Sequence, residues 1–220
     1  MALQAAEEES IEALRKWWDE NGTMLIIVAV TVVLAWGGWT FWQNSRISTI
    51  DAASNLYEEI LSLAQSGLEI PAEDRAGIFQ AAEALKTDYS ASVYALYGSM
   101  FAAQQAVEAN DLDKAEQELQ WILSNKRDGL FNKTDEGLIL TASLRLGRVI
   151  LAKGDAQRAL DVIDGLNPQS FEADFAELRG DIYVAQDRAV DARDAYNTAQ
   201  QAGSTSSFLQ MKIDELANDD

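Results

Sequence analysis

Between Asn21 and Ser45 the chain carries no charged residue, a run of 25 positions. Within it, residues 22–42 read GTMLIIVAVTVVLAWGGWTFW, dominated by Leu, Ile, Val, Ala and Trp. As a helix this stretch extends roughly 30 Å, the thickness of a bilayer's hydrocarbon core. Trp17 and Trp18 precede it, and Trp36, Trp39 and Trp42 mark its far end. Five of the six tryptophans therefore fall where interfacial belts form. The alternative of a buried core helix is weak, because such a helix rarely stays uncharged for so long. A cleaved signal peptide is the closer rival, since Val33-Leu34-Ala35 has small enough side chains for a weak cleavage site. The leader before the run, however, holds six acids against Arg15 and Lys16, whereas a signal peptide has a basic start and a shorter apolar core. The run reads as an uncleaved anchor.

The anchor divides the chain into an acidic leader (1–21), a transmembrane segment (22–42) and a soluble remainder (43–220). Arg15 and Lys16 flank one end of the span and only Arg46 follows closely at the other. By the positive-inside rule the leader is then cytoplasmic and residues 43–220 lie across the membrane.

After Arg46 no strand-length alternation occurs, and apolar residues recur at helical spacing with only two prolines in the chain. Three segments align with one another. The first carries Ala103, Ala106, Ala115, Leu119 and Ile122; the second Gly147, Ile150, Ala159, Ile163 and Leu166; the third Gly180, Tyr183, Ala192, Tyr196 and Ala199. Their internal spacings agree, and the offsets are 44 and 33 residues, so the first pair of segments is separated by an insertion near residues 126–134. Small residues at Ala103, Gly147 and Gly180 let two helices approach, and Ala115, Ala159 and Ala192 do the same from the second helix. Leu119, Ile163 and Tyr196 fill the gap to the next unit. Asn110-Asp111, Gly154-Asp155 and Asp187 supply the turns. The pattern resembles the tetratricopeptide repeat, a helix–turn–helix unit of about 34 residues. Upstream, helices at 47–66 and 72–86, the second starting at Pro71, make a degenerate fourth unit. A helix at 206–217 serves as the cap. The fold class is all-α, a single N-terminal transmembrane helix followed by a tetratricopeptide-like solenoid.

Chemistry is narrowly bounded. The 220 residues include neither histidine nor cysteine, which excludes His-based triads, thiol nucleophiles, zinc fingers and disulfides. A formal charge of −19 argues against nucleic acid. No phosphate-binding glycine motif and no SxxK pair is present. Asn110-Asp111-Leu112-Asp113 superficially matches a calcium loop but lacks its glycine and terminal glutamate, so it is assigned to helix capping. No enzyme activity, cofactor or metal is expected.

The leader block Glu12-Ala13-Leu14-Arg15-Lys16-Trp17-Trp18-Asp19-Glu20-Asn21-Gly22, the anchor end Gly38-Trp39-Thr40-Phe41-Trp42 and the tail Met211-Lys212-Ile213-Asp214-Glu215-Leu216 together resemble the family of YfgM-type ancillary SecYEG translocon subunits. The likeness covers essentially the whole chain, and the leader is its most specific part. It implies a single-pass inner-membrane protein of Gram-negative bacteria with a periplasmic repeat domain. As partners it implies the SecYEG translocon, a PpiD-type membrane-anchored periplasmic chaperone and nascent periplasmic proteins. The resemblance also implies a second role, in envelope stress regulation, for which the acidic Glu7-Glu8-Glu9 of the leader offers a contact to a basic cytoplasmic protein.

In tetratricopeptide proteins the first helix of each unit lines a groove at fixed offsets from its small residue. Carried onto this chain, those offsets select Tyr97, Met100, Gln104 and Val107, then Thr141, Leu144, Arg148 and Leu151, then Asp174, Glu177, Asp181 and Val184. The first two sets are largely apolar and the third is acidic, which suits an amphipathic or basic polypeptide. Packing of Met100, Val107 and Leu144 against neighbouring helices is the competing reading. A ligand carboxylate is disfavoured, because Asp174, Glu177 and Asp181 would repel it.

Overall fold

The computed structural model describes the backbone of residues 2–65, 70–129 and 132–218. The chain divides into two units, Met1–Asp51 and Ala52–Asp220. The side chains of Glu7, Glu8, Glu9, Glu12 and Arg46, and the expected helix end at Ser66, lie outside the described residues.

The described residues of the first unit are helical and belong to α1 (Ala2–Ala64). Its apolar stretch is exposed along its length: Met24, Val33, Trp36 and Phe41 are all more than two-thirds accessible. This helix is long and apolar enough to cross a membrane. Two hydroxyls of the apolar stretch bond the helix's own backbone. Thr31 Oγ1 donates to the Ile27 carbonyl and Thr40 Oγ1 to that of Trp36, both at 2.8 Å. Such back-bonding lets a hydroxyl sit in hydrocarbon without an orphaned donor. At the leader end the Trp18 ring lies over Gly22, where a Cβ would come within 3.1 Å of it.

The second unit begins with the last turns of α1 and continues through α2 (Ala72–Asp88), α3 (Val93–Glu108), α4 (Leu112–Ser124), α5 (Glu136–Ala152), α6 (Ala156–Ile163), α7 (Glu172–Ala185), α8 (Ala189–Gln201) and α9 (Leu209–Asn218). From α2 onward each helix packs on the next. The three aligned segments become the pairs α3/α4, α5/α6 and α7/α8, and the expected cap becomes α9. Ala103, Gly147, Gly180, Ala115, Ala159, Ala192, Leu119, Ile163 and Tyr196 are all buried, as close helix approach requires. A Cβ on Gly147 would stand 2.9 Å from Leu178 Cδ2, and one on Gly180 would run into the Tyr196 ring.

The turns within the three pairs repeat one geometry. Asn110, Gly154 and Asp187 all take left-handed φ values, 58°, 87° and 57°. The N–H of the following residue reaches back five positions each time: Asp111 to Ala106 at 2.8 Å, Asp155 to Ile150 at 3.2 Å and Arg188 to Tyr183 at 2.9 Å. These bonds close the last carbonyls of one helix. Asp111 and Asp155 then open the next, accepting from the N–H of Lys114 and Arg158 at 3.0 and 3.1 Å. The Asn110–Asp113 segment is thus a capped turn. The insertion between the first two pairs contains a short antiparallel ladder, Asp128–Gly129 with Asn132–Lys133. It is closed by the Arg127 N–H donating to Thr134 Oγ1 at 2.7 Å.

The core runs as three neighbouring clusters. Ala53 and Ile60 of α1 meet Ile78, Ala82 and Leu85 of α2. Leu119, Ile150, Ile163, Phe175 and Ile182 form the middle. Tyr196, Leu209 and Leu216 join α8 to the cap. Carboxylates tie successive pairs across this core. Lys86 of α2 reaches the nearly buried Glu118 of α4 at 2.8 Å. Glu116, also on α4, binds Lys153 at 2.6 Å and Arg158.

Candidate functional site

The expected groove residues lie on α3, α5 and α7, but they do not form one uniform surface. Met100 and Leu144 are 8% and 5% exposed and belong to the core, so they offer nothing to a ligand. Leu151 is half-buried against the same cluster. Thr141 spends its hydroxyl on the Gly137 carbonyl at 2.8 Å. Val184 is exposed on α7.

Five of the others border two cavities that share Arg148. The first, about 430 Å³, lies between α3, α4 and α5, and Gln104, Val107 and Arg148 line it. The second, about 350 Å³, lies between α5, α7 and the segment leading into α9, and takes in Arg148, Asp174 and Glu177. Arg148 Nη2 stands 3.5 Å from Asp174 Oδ1, with both side chains half exposed. Arg148 therefore forms the partition between an apolar cavity and a polar one.

Tyr97 belongs to a cluster of four rings. Tyr57, from the end of α1, packs its ring 5.5 Å from Tyr94, 6.2 Å from Tyr97 and 6.1 Å from Phe101. Tyr97, Phe101, Gln104 and Glu108 follow one another at helical spacing, so the rings and the first cavity share one face of α3. Tyr57, Tyr94 and Phe101 were not among the expected groove residues. Phe101 and Tyr94 could have been found from α3's own periodicity; Tyr57 could not, because it arrives from the degenerate upstream unit, for which no groove offsets were assigned.

The acidic third of the groove is corrected by the structure. Lys212 of α9 lies 2.9 Å from Glu177 Oε1 and 2.7 Å from Asp181 Oδ1. Ser204 and Ser206 donate to Glu177 at 3.3 and 3.0 Å. Burial alone would raise the Glu177 carboxyl, but the bonds from Lys212 and the serines outweigh it and hold the group below its usual range. Tyr196 donates to Asp181 at 2.7 Å. Burial, then that bond, pushes its phenol well above the ordinary range, so it remains a donor. Glu177 and Asp181 are thus occupied from within, and Asp174 faces Arg148. The expected repulsion of a ligand carboxylate rested on bare charges, and these charges are partnered.

Among the described residues no group of three acidic side chains converges to hold a metal ion. Along α3 and α5 the surface combines aromatic rings, an apolar cavity and charged groups at its edge. Helix pairs with small-residue contacts, left-handed turns and a terminal cap define a tetratricopeptide-type repeat protein, here carrying a membrane-length apolar helix. A family model described as a tetratricopeptide repeat-like domain matches residues 15–218. Curated relatives match over nearly their full length. The ancillary SecYEG translocon subunit of Haemophilus influenzae is 31% identical over 98% of this chain and all of its own. Those of Neisseria gonorrhoeae and Escherichia coli are 30% and 29% identical, covering 98% and 99% of this chain and all of theirs. The chain belongs to the family of ancillary SecYEG translocon subunits. No solved structure matches it.

Proposed function

We propose that the chain is a non-enzymatic accessory subunit of the SecYEG protein translocon, which passes newly translocated proteins to periplasmic chaperones. In this reading residues 1–21 are cytoplasmic, 22–42 span the inner membrane and 43–220 stand in the periplasm. A PpiD-type membrane-anchored chaperone and nascent periplasmic chains are the partners of the repeat domain. The observation that carries the reading is the end-to-end match with relatives named for this role, over both the apolar helix and the repeats. The partly exposed rings and the cavity along α3 support it, because they offer an extended or helical polypeptide a preformed apolar surface.

Purification of the full chain in mild detergent tests the function, with recovery of the translocon channel and a membrane chaperone as the expected result. Recovery of neither would sink it. Orientation is tested in the same cells, because a protein without cysteine accepts single reporter thiols cleanly. A thiol at Gln4 should be shielded from an impermeant reagent added outside the inner membrane, and one at Thr205 should react.

A further inference from the structure

The first cavity has walls of Ala103, Val107, Leu112, Leu119 and Val149, and a basic edge on α5 formed by Arg145 and Arg148. Acids outnumber bases 36 to 17 in this chain, so an arginine without a carboxylate needs a reason. Among the described residues the Arg145 side chain makes no ion pair or hydrogen bond, and it is half-buried beside the cavity. Arg148 has only the long contact to Asp174 across an exposed edge. On the opposite side, Glu108 directs its two oxygens to the amides of Gln104 and Gln105, at 3.0 and 2.9 Å. Those amide bonds leave Glu108 its charge, so an incoming group meets one carboxylate on the α3 side and two guanidinium groups on the α5 side.

Resting on the function proposed above, and narrowing it, we infer that this cavity binds an acidic, apolar polypeptide segment of the partner. One apolar side chain enters the cavity between α3, α4 and α5, and a carboxylate beside it in sequence bonds Arg145 and Arg148. The cavity volume lies within the ~300–1,000 Å³ usual for ligand clefts. Guanidinium forks are matched to carboxylates, and each such bond is stronger where water is partly excluded. The rings of Tyr97 and Phe101 continue the apolar face along α3 for the next residues of the segment. This reverses the preference read from the acidic residues of α7, because Lys212 has already taken Glu177 and Asp181.

The charge of the whole chain makes the test discriminating. At long range a protein of formal charge −19 repels acidic ligands and attracts basic ones. A preference for acid can arise only from local cationic groups, and the double variant below tests whether they are these two. The experiment measures fluorescence anisotropy of short dye-labelled peptides, a leucine flanked by glutamates, with the full-length protein in detergent micelles. Matched peptides carry glutamine or lysine in place of glutamate, and one carries serine in place of leucine. The glutamate peptide should bind about tenfold or more tightly than the glutamine one, and the lysine and serine versions weaker still. In the double variant Arg145→Gln, Arg148→Gln the glutamate and glutamine peptides should become equal while leucine still outranks serine. Equal or tighter binding of the lysine peptide, a glutamate preference that survives in the double variant, or no binding at about 1 mM would each overturn the inference. Translocon co-purification is scored on the same preparations. If it persists without the glutamate preference, this inference alone has failed; if it is lost while the preference remains, the proposed function has failed.

Discussion

Lys212 of the terminal helix donates to Glu177 of α7 at 2.9 Å, joining residues 35 positions apart. The same ammonium reaches Asp181, so one cation from the cap bridges two carboxylates of the last repeat. The three side chains are 26%, 12% and 31% exposed, which places the cluster between a surface pair and a buried one. In electrostatic terms α9 is a lid on the acidic end of the groove as well as a cover for its core.

Replacing Lys212 with Met should therefore cost about 1–2 kcal/mol, a fall in Tm of about 2–8 °C. Its pH signature is specific. Glu177 is held below its usual range, so its contribution is complete above the unfolded value of about 4.3 and is lost as pH falls through the lower folded value. For Lys212, burial lowers the pKa, but the bonds to Asp181 and Glu177 outweigh it and raise the group overall. Its contribution is complete below about 10.4 and is lost as pH rises through the higher folded value. Circular-dichroism melts across pH should show the substitution removing stability at neutral pH and flattening both limbs. Parallel curves for the two proteins would discard the clamp.

Gly180 and Gly147 occupy equivalent positions but should respond differently to alanine. At Gly180 the new methyl meets the Tyr196 ring, which is buried and tethered to Asp181. Overpacking of this kind costs about 1–3 kcal/mol. At Gly147 the obstacles are the terminal Cδ2 methyl of Leu178 and the Cγ2 methyl of Ile163, 2.9 and 3.1 Å away. The nearer Leu178 methyl can swing, the Ile163 contact needs a shift of only a few tenths of an ångström, and alanine's better helix propensity, about 1 kcal/mol, offsets the strain. Gly147→Ala should stay within about 1 kcal/mol of the parent while Gly180→Ala falls clearly below it. The reverse order in urea unfolding would contradict the assigned packing.

These glycines show which part of the architecture sequence spacing reveals. Small residues at Ala103, Gly147 and Gly180 mark helix contacts because only close approach demands them, and their burial needs no knowledge of distant neighbours. The turn positions are readable for the same local reason. Side chains that answer to distant partners are not. Glu177 and Asp181 look like a free acidic face until Lys212 arrives from beyond the last repeat. Tyr57 joins the α3 rings from the degenerate upstream unit, outside the three segments that align. Met100 and Leu144 sit at groove offsets, yet the neighbouring helices close over them. The standing of Arg145 depends on what the carboxylates around it have already bound, which spacing cannot state.

The three intra-pair turns share their backbone geometry but not their caps, and stability should separate them. Asp111 and Asp155 each accept a backbone N–H, whereas Arg188 makes no side-chain cap and holds Asp191 at 2.7 Å on an exposed surface. Asp111→Ala and Asp155→Ala should each cost about 1 kcal/mol. Arg188→Ala should cost about 0.5 kcal/mol or less, the worth of an exposed ion pair. Chemical unfolding of the three variants checks the order, and an Arg188 variant as damaged as the aspartate ones would count against it.

The apolar helix makes a prediction that the repeats do not. Val32 lies midway along residues 22–42 and is 57% exposed, with the hydroxyls of Thr31 and Thr40 turned back onto the helix backbone. A surface built this way fits a solvent that offers no hydrogen bonds, and a charge placed in it has no partner. An arginine at the centre of a spanning helix opposes insertion by about 2.5–3.5 kcal/mol. Val32→Arg should therefore shift the protein from the membrane pellet toward the alkaline carbonate wash. Val190→Arg, at a 68% exposed position on α8, supplies the control and should leave the pellet fraction unchanged. Equal pellet fractions for both variants would mean that residues 22–42 do not hold this chain in a bilayer.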